Sequence, residues 1–469
     1  MKSEELFLLS YLERQTKLTN SQRKIILAAM IGDMLEFLDY FLISFVVAFI
    51  GGPWKLTFGK SAVVLLASGV GAMFGAVFYG WLADQIGRRK TFMLTVVNFS
   101  LATGALAFTP ENGWLYLSLF RFITGFGTGG LYCVDLPLVQ EFVPSSKRGM
   151  VGGLVTASVP VGLMLGSAMG AFLTPIVGWR GLFAIGVLPG IFTLLIRAWV
   201  PESPLWLMRM GRNEEARKSL AWALEVNPSD LPMPEESTVS HPGKFTDLFR
   251  YPRSLIVSWL MNLTAQTGYY GFLLWAPTLL VLLLGVSAQR ASFLMIFVSL
   301  AGMTGKIVMS FLSDMIGRRT SCGIVGLAAA VTLVCAAAWH SVYFAAIPLF
   351  WVLLMASDFF VEGTFAIVGP YSAEVWPSAL RTTGMGSAYG FGGLGKVIGP
   401  LGLALIVGSS NVITPQASIG AIVPAFVFLG SCYALTGIVC AGFGVETNRR
   451  SLEAIESALK PVGWRRPTR

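Results

Sequence analysis

Charged side chains interrupt the longest apolar stretches of this sequence. Glu36 and Asp39 lie three residues apart in the first stretch, on one helical face that Tyr40 continues. A charge near the middle of a membrane span costs about 2.5–3.5 kcal/mol on insertion scales, so it needs a partner, a water-filled cavity or a function. The other such charges are Asp33, Arg121, Asp135, Lys306, Asp358, Glu362 and Lys396. We expect simple hydration to account for Asp33 and Asp135, and some of the others to line a central path.

Amide and aromatic groups form a second pattern. One apolar stretch carries two amides and two phenols, at Asn262, Gln266, Tyr269 and Tyr270. Such groups beside apolar faces suit a flat ring with polar substituents. In a later glycine-rich stretch, Tyr389 and Lys396 are two helical turns apart, so a ring and a cation can face the same cavity. For any one aromatic residue, packing in the core or against lipid is the alternative interpretation.

The elements that must position these groups are membrane-spanning helices. Of the 469 residues, 54% are hydrophobic and 13% are charged, and the mean hydropathy is +0.68. A bilayer core about 30 Å thick needs roughly 20 apolar residues per helix, with every backbone polar group paired inside the segment. The recurring apolar stretches therefore predict an all-α membrane protein with twelve transmembrane helices, and they exclude a soluble globule.

Basic residues orient the predicted helices. The formal net charge is +9, but the lysines and arginines cluster between apolar segments, as in Arg88/Arg89/Lys90 and Arg318/Arg319. This distribution is typical of cytoplasmic loops, so it predicts topology rather than a nucleic-acid partner. Both termini are expected in the cytoplasm. The first long apolar run is itself a span, so no cleavable signal peptide is expected.

Two pieces of the sequence occur twice. Residues Gly80 to Arg89 return as Ser310 to Arg319, and Pro137 to Gly149 is echoed by Pro370 to Gly384. Both repeats are offset by roughly 230 residues, as duplicated halves require. The predicted organisation is an N-terminal six-helix bundle, a cytoplasmic linker, a C-terminal six-helix bundle and a cytoplasmic tail, at residues 1–200, 201–252, 253–445 and 446–469.

The repeated segments carry paired acids and bases at the cytoplasmic ends of neighbouring helices. Such groups can pair across the two bundles in one state and separate in the other, and thereby bias a rocking equilibrium. The predicted cytoplasmic gate consists of Asp84, Arg88, Glu141, Arg148, Glu202, Asp314, Arg318, Glu374 and Arg381. Solvated loop charges that only fix topology are the alternative for some of the arginines, but they do not explain the acids.

The repeated loop resembles the signature loop of the major facilitator superfamily. The pattern is Gly-x-Leu-Ala-Asp-x-x-Gly-Arg-Arg at Gly80 to Arg89, and Arg121 to Gly130 looks like the fourth-helix motif of the same superfamily. Pro201 to Leu207 is similar to the sugar-porter sequence after the sixth helix. Leu205 stands where sugar porters have arginine, so a sugar substrate does not follow from this similarity.

Two segments resemble one branch of that superfamily. They are Tyr269 to Pro277 and Tyr371 to Gly386, and they look like the branch of the organic-cation and organic-anion transporters and the synaptic-vesicle glycoprotein relatives. The opening segment Leu18 to Arg23 and Asp39 before Ile43 are most similar to bacterial niacin transporters within this branch. The family resemblance covers nearly the whole chain.

The resemblance implies a secondary transporter in the cell inner membrane, with alternating access around a site near the bilayer midplane. Its expected substrate is a small organic ion, with nicotinate or a related aromatic carboxylate first. The substrate-binding residues are expected to be Tyr40, Asn262, Gln266, Tyr269, Tyr270, Trp275, Glu362, Tyr389 and Lys396. The alternatives are an organic cation held by Glu36, Asp358 or Glu362, and a membrane receptor that keeps the fold without the transport cycle.

The sugar-porter resemblance also implies an acid–arginine pair at Asp39 and Arg121. With Glu36, these residues are the candidates for proton coupling. An ion pair that only braces the helices is an equally open interpretation at this point.

No enzyme chemistry is expected. The sequence has two histidines, His241 and His340, both in predicted connecting segments, and five cysteines without metal-ligand spacing. Gly59-Lys60-Ser61 lacks the earlier glycine of a phosphate-binding loop, since Trp54 occupies that position. We expect no catalytic residue, metal or cofactor. The expected partners are a small-molecule substrate, membrane lipid and protons, with no nucleic acid, and the chain is expected to be a monomer.

Overall fold

The protein is built from long helices. The computed structural model describes residues 11–15, 17–188, 190, 200–232, 245–377 and 380–447. In the first half the helices are α1 (Asn20–Ile50), α2 (Phe58–Ile86), α3 (Arg88–Leu106), α4 (Trp114–Glu141), α5 (Ser145–Ala157), α6 (Val159–Ala168) and α7 (Thr174–Ile185). A π-helical turn, Met169–Leu173, joins α6 to α7.

The second half begins after a segment of short helices. These are α8 (Pro204–Arg209) and α9 (Asn213–Leu224), with 3₁₀ turns at Pro228–Asp230 and Phe245–Arg250. The long helices that follow are α10 (Pro252–Leu284), α11 (Ala288–Ile316), α12 (Arg318–Ala338), α13 (Leu349–Glu374), α14 (Arg381–Gly392), α15 (Gly395–Val407) and α16 (Pro415–Phe443). Strands β1 (Tyr343–Phe344) and β2 (Ile347–Pro348) form a small antiparallel hairpin before α13.

Within the described residues, eight helices have the length and hydropathy of a membrane span. They are α2, α10, α11, α12, α13, α16 and the composite helices Leu154–Ile185 and Thr383–Val407. Helices α1, α3 and α4 are also long, but they carry charged or weakly apolar residues. Part of the apolar stretch at 182–200, for which a sixth span is predicted, lies outside the described residues, as do His241 and most of the predicted tail.

The described residues form two compact units. Unit 1 consists of the described residues within Met1–Tyr40, Val70–Leu163 and Val177–Ser240. Its core includes a cluster in which Ile25 of α1 packs with Leu138 of α4 and Val151 of α5. Helix α3 packs along α4, and Thr103 of α3 and Arg121 of α4 are buried in this unit.

Unit 2 comprises Phe41–Gly69, Met164–Ile176 and His241–Arg469. Inside it, α12 packs along α16, α11 along α13, and α10 along α15 and α16. One core cluster surrounds the fully buried Trp376 and Tyr371. Helices α14 and α15 belong to one span, Thr383–Val407, because Gly393 and Leu394 between them keep right-handed helical dihedral angles. Tyr389 lies on α14 and Lys396 on α15.

A backbone clasp joins two loops of unit 2. The amide of Phe58 donates to the carbonyl of Asn411 at 2.9 Å, and that of Gly59 donates to Ser409 at 2.9 Å. The amide of Ile413 returns a bond to the carbonyl of Leu56, also at 2.9 Å. The loop that leads into α2 is thus tied by main-chain groups to the loop between α15 and α16.

Glycine is required at the start of α12. Gly317 has a φ of +98°, and a Cβ there would lie 2.7 Å from a carboxylate oxygen of Glu446. Its repeat partner Gly87 precedes α3 with a φ of +102°. Residues other than glycine rarely adopt this backbone conformation, so the repeated loop depends on glycine in both halves.

Gly317→Ala is expected to lower the free energy of unfolding by about 1–3 kcal/mol, because the alanine would be held in a strained conformation and would displace Glu446. Thermal unfolding of the purified protein in detergent measures this. Gly386→Ala is the control, since it lies within α14 and its Cβ would have no neighbour within 4 Å. Equal midpoints for the two variants would contradict the argument.

Candidate functional site

A buried ion pair lies in unit 1. Arg121 of α4 donates from Nη1 to Oδ2 of Asp39 at 3.2 Å, and Thr103 of α3 donates to Oδ1 at 2.7 Å. Arg121 also donates from Nη2 to the carbonyl of Tyr40 at 2.9 Å and lies 5.9 Å from the centroid of its ring. The arginine is fully buried and Asp39 nearly so. Three helices therefore hold one carboxylate and one guanidinium together away from water.

Other acids of unit 1 are also buried. Glu36, one turn before Tyr40, is 6% exposed. Asp33 and Asp135 are 3% and 1% exposed, so the expectation that hydration accounts for them is wrong. A Cβ at Gly32 would lie 3.8 Å from Oδ2 of Asp135, which brings this α4 acid against α1. Both acids are therefore enclosed by protein rather than hydrated.

A second charged cluster lies in unit 2. Nζ of Lys306 in α11 lies 3.2 Å from Oε2 of Glu362 in α13. The hydroxyl of Tyr269 in α10 donates to Oε1 of the same carboxylate at 2.9 Å. Glu362 is 1% exposed, and the ammonium of Lys306 balances its negative charge while the phenol donates a hydrogen bond to it. Lys306 is not among the expected site residues, because sequence spacing does not reveal a partner 56 positions away.

Aromatic rings surround a second lysine of unit 2. Nζ of Lys396 lies 5.2 Å from the ring centroid of Tyr270 and 5.9 Å from that of Tyr389. Tyr270 stacks on Phe41 with centroids 6.1 Å apart, and Tyr269 meets Phe41 edge to face. Such rings stabilise a cation on their faces and present flat surfaces to an aromatic ligand.

The remaining expected binding residues are engaged in helix packing. Asn262 donates its amide to the carbonyl of Ser258 at 2.8 Å and to the hydroxyl of Ser372 at 2.7 Å. Gln266 donates weakly to the carbonyl of Tyr389 at 3.5 Å. Trp275 is fully buried, stacks on Phe58 and donates its indole N–H to the carbonyl of Pro400. Of these three, Gln266 is the one that contacts the backbone of Tyr389.

Three predicted gate residues of unit 1, Arg88, Glu141 and Glu202, form one network with Ser203. Arg88 lies 2.8 Å from Glu141, and Ser203 donates its hydroxyl to the same carboxylate. Glu202 accepts the backbone amides of Arg88 and Arg89 at 2.9 and 3.0 Å. A carboxylate at the first amides of α3 satisfies donors that a helix leaves unpaired and matches the helix dipole.

Unit 2 repeats this network. Arg318 lies 3.0 Å from Asp314 and 3.6 Å from Glu374. Glu446 accepts the backbone amides of Arg318 and Arg319 at 2.9 and 3.2 Å. Thr447 donates its hydroxyl to Glu374, as Ser203 does to Glu141 in unit 1.

Glu446 and Thr447 were missed in the sequence. A signal was present, because Glu202-Ser203 after the predicted sixth span corresponds to Glu446-Thr447 after the twelfth. Of the other predicted gate residues, Asp84 has an exposed side chain, and its backbone carbonyl accepts the indole N–H of Trp206. The side chains of Arg148 and Arg381 lie outside the described part of the structure.

The known proteins that this chain resembles are transporters. A family model described as "Sugar (and other) transporter" matches residues 24–459. The "Niacin transporter NiaP" of Acinetobacter baylyi is 31% identical over 79% of this chain and 84% of that protein. The "Cis,cis-muconate transport protein" of the same organism is 27% identical over 89% of this chain and 93% of that protein. Among solved structures, the inward-open xylose transporter XylE from E. coli matches with a TM-score of 0.70 at 19% identity, over 93% of this chain and 100% of that chain.

Proposed function

Since the chain belongs to the Sugar (and other) transporter family of the major facilitator superfamily, we propose that it moves nicotinate or a related aromatic carboxylate across the cell inner membrane. The predicted superfamily and the all-α, twelve-helix membrane fold are confirmed by the family match and the structural match. Transport is the activity of the named relatives, and none of them is an enzyme. The substrate, the inner-membrane location and the proton coupling are the proposal.

The arrangement of Lys396 with the rings of Tyr270 and Tyr389 in unit 2 supports this proposal. Lys396 offers an ammonium beside the faces of Tyr270 and Tyr389. A planar ring that bears a carboxylate would stack on a tyrosine and direct its negative charge to the ammonium. The lysine lies in a low-dielectric setting, where such an ion pair is stronger than in water. The names of two relatives, one for niacin and one for muconate, support a small organic acid.

The organic-cation alternative is weaker in this arrangement. Glu362 already pairs with Lys306 and accepts the hydroxyl of Tyr269, so a cationic ligand would have to displace an internal ammonium. An uptake assay with purified protein in proteoliposomes distinguishes a transporter from a receptor. A receptor would bind the ligand without net uptake.

Nicotinate is expected to raise the thermal midpoint of the purified protein, and nicotinamide to raise it less, because a ligand that binds the folded state stabilises it by mass action. Lys396→Met removes the ammonium, so it is expected to weaken nicotinate binding about tenfold and to narrow the gap between the two ligands. The measurement is a thermal-shift titration in detergent at constant pH.

The control for this experiment is Lys218→Met. Lys218 is an exposed residue of α9, and the same substitution there should leave both titrations unchanged. Equal binding of nicotinate and nicotinamide by the unsubstituted protein, or tight binding of tetraethylammonium, would replace this proposal with the cation alternative.

The proposed coupling partner is the buried pair of unit 1. A cycle in which Asp39 releases Arg121 in one state would let the acid bind a proton there and lose it when the pair forms again. The pair is supported by its burial and by three hydrogen bonds from Arg121 to Asp39 and Tyr40. The predicted bundles at 1–200 and 253–445, the cytoplasmic termini and the monomeric state belong to the same proposal.

A further inference from the structure

A buried acid in unit 2 has no part in the ion pairs described above. Asp358 lies in α13, one turn before Glu362, and is completely buried. Neither of its carboxylate oxygens has a hydrogen-bond partner among the described residues. A Cβ at Gly302 of α11 would overlap Oδ2, so the backbone of α11 packs directly on this carboxyl group.

The titratable groups that face Asp358 come from four helices. Glu362 lies on its own helix, and Lys306 comes from α11. Tyr269 of α10 and Tyr433 of α16 are also close enough to interact electrostatically with Asp358. Lys306 is the only cation in this set, and its ammonium is engaged by Glu362 at 3.2 Å.

An ionised Asp358 would be poorly stabilised in this setting. It would lie in an apolar interior with no hydrogen-bond donor, and it would stand beside the negative charge of Glu362. One ammonium cannot balance two carboxylates. The neutral acid has no charge to bury and is not repelled by Glu362, so the geometry favours a proton on Asp358 while Lys306 is paired with Glu362.

We propose that Asp358 carries the proton that binds together with the substrate carboxylate. With Asp358 neutral, Lys306 and Glu362 cancel and the cluster accepts an anion nearby. When Asp358 releases its proton to water, two carboxylates face one ammonium, and the remaining negative charge repels an anionic substrate. Protonation and substrate binding therefore favour each other, and thermodynamic linkage makes the effect reciprocal.

This inference rests on the proposed function in one respect, that the substrate is an anion. It also differs from the coupling role proposed for Asp39, which lies in unit 1. Asp358 sets how the affinity for the anion depends on pH, whereas Asp39 is expected to matter for accumulation.

The first test is nicotinate binding to the purified full-length protein, by thermal-shift titration between about pH 6 and about pH 9, where the free carboxylate stays ionised. The affinity of the unsubstituted protein is expected to fall about tenfold across this range. Asp358→Asn, fixed in a neutral form, should bind with an affinity that changes less than about twofold. Ser357→Ala, a neighbouring buried substitution on α13, should follow the unsubstituted protein. A pH dependence retained in Asp358→Asn would overturn the proposal.

The second test needs no ligand. Infrared difference spectra between the unsubstituted protein and Asp358→Asn at neutral pH should show the carbonyl stretch of a protonated carboxyl group, lost in the variant. If Asp358→Asn does not fold, Asp358→Ala serves in both tests, since the smaller side chain also cannot titrate. Absence of the band means that Asp358 is ionised and the inference is wrong. The band together with no nicotinate binding would instead leave Asp358 protonated and reject the proposed substrate.

Discussion

Asp39→Asn is expected to abolish the accumulation of nicotinate that an imposed pH gradient drives, while exchange of labelled for unlabelled nicotinate continues. The guanidinium of Arg121 and the hydroxyl of Thr103 stabilise the carboxylate of Asp39 while the pair is made. Once the pair separates, burial favours the neutral acid. An amide cannot alternate between these two forms, so the empty transporter cannot complete the cycle even though Asp358 still takes up a proton with the substrate. Exchange by the loaded transporter continues. Uptake and exchange in proteoliposomes measure the two processes separately.

The control is Ser44→Ala on the same helix. Ser44 is fully buried and donates its hydroxyl to the carbonyl of Phe41, but it carries no proton that a gradient could move. This variant should accumulate nicotinate like the unsubstituted protein. If Asp39→Asn still concentrates nicotinate under a pH gradient, the pair with Arg121 is a brace, and Glu36 becomes the next candidate in unit 1.

Glu141→Gln is expected to slow net nicotinate uptake about tenfold while the affinity in detergent changes less than about twofold. Glu141 pairs with Arg88 at 2.8 Å and accepts the hydroxyl of Ser203, and all three groups are largely buried. Removing the charge leaves Arg88 without its carboxylate, which is costly for a buried group. If this network stabilises one state of the transport cycle, its loss shifts the population of states rather than the binding site.

Two further variants separate the gate from general charge effects. Glu214→Gln removes an acid of the exposed pair with Arg217 on α9, and exposed pairs contribute little, so uptake should be unchanged. Asp84→Asn should slow uptake less than Glu141→Gln, because the side chain of Asp84 is exposed. Normal uptake by Glu141→Gln would mean that these charges fix topology and do not gate.

The fold was largely predictable because two strong patterns agree. Apolar stretches of span length identify the helices, and the repeat of Gly80 to Arg89 at Ser310 to Arg319 identifies duplicated halves. Local turns were not predicted. The turn at Gly393 and Leu394 between α14 and α15 lies inside one apolar stretch, and hydropathy does not distinguish its residues from those of a continuous helix.

The candidate site was predictable only in part. The proximity of Asp39 and Arg121 came from family resemblance, since 82 positions separate them along the chain. No such guide existed for Lys306 and Glu362, and burial of one charge does not indicate which other charge it meets. Asn262 and Trp275 show the opposite difficulty, because a polar group in a span can serve a ligand or its own helix neighbours, and here the neighbours use their N–H groups.

The backbone clasp of unit 2 is insensitive to the identity of its side chains. Leu56, Phe58 and Gly59 meet Ser409, Asn411 and Ile413 through amide and carbonyl groups that every residue except proline supplies in full. Alanine scanning would leave these donors and acceptors in place, so it would overlook the contact. Each bond has a net stability of only about 1 kcal/mol, since water can replace either partner. Side chains at these positions can therefore change without loss of the contact, provided that proline does not replace a donor.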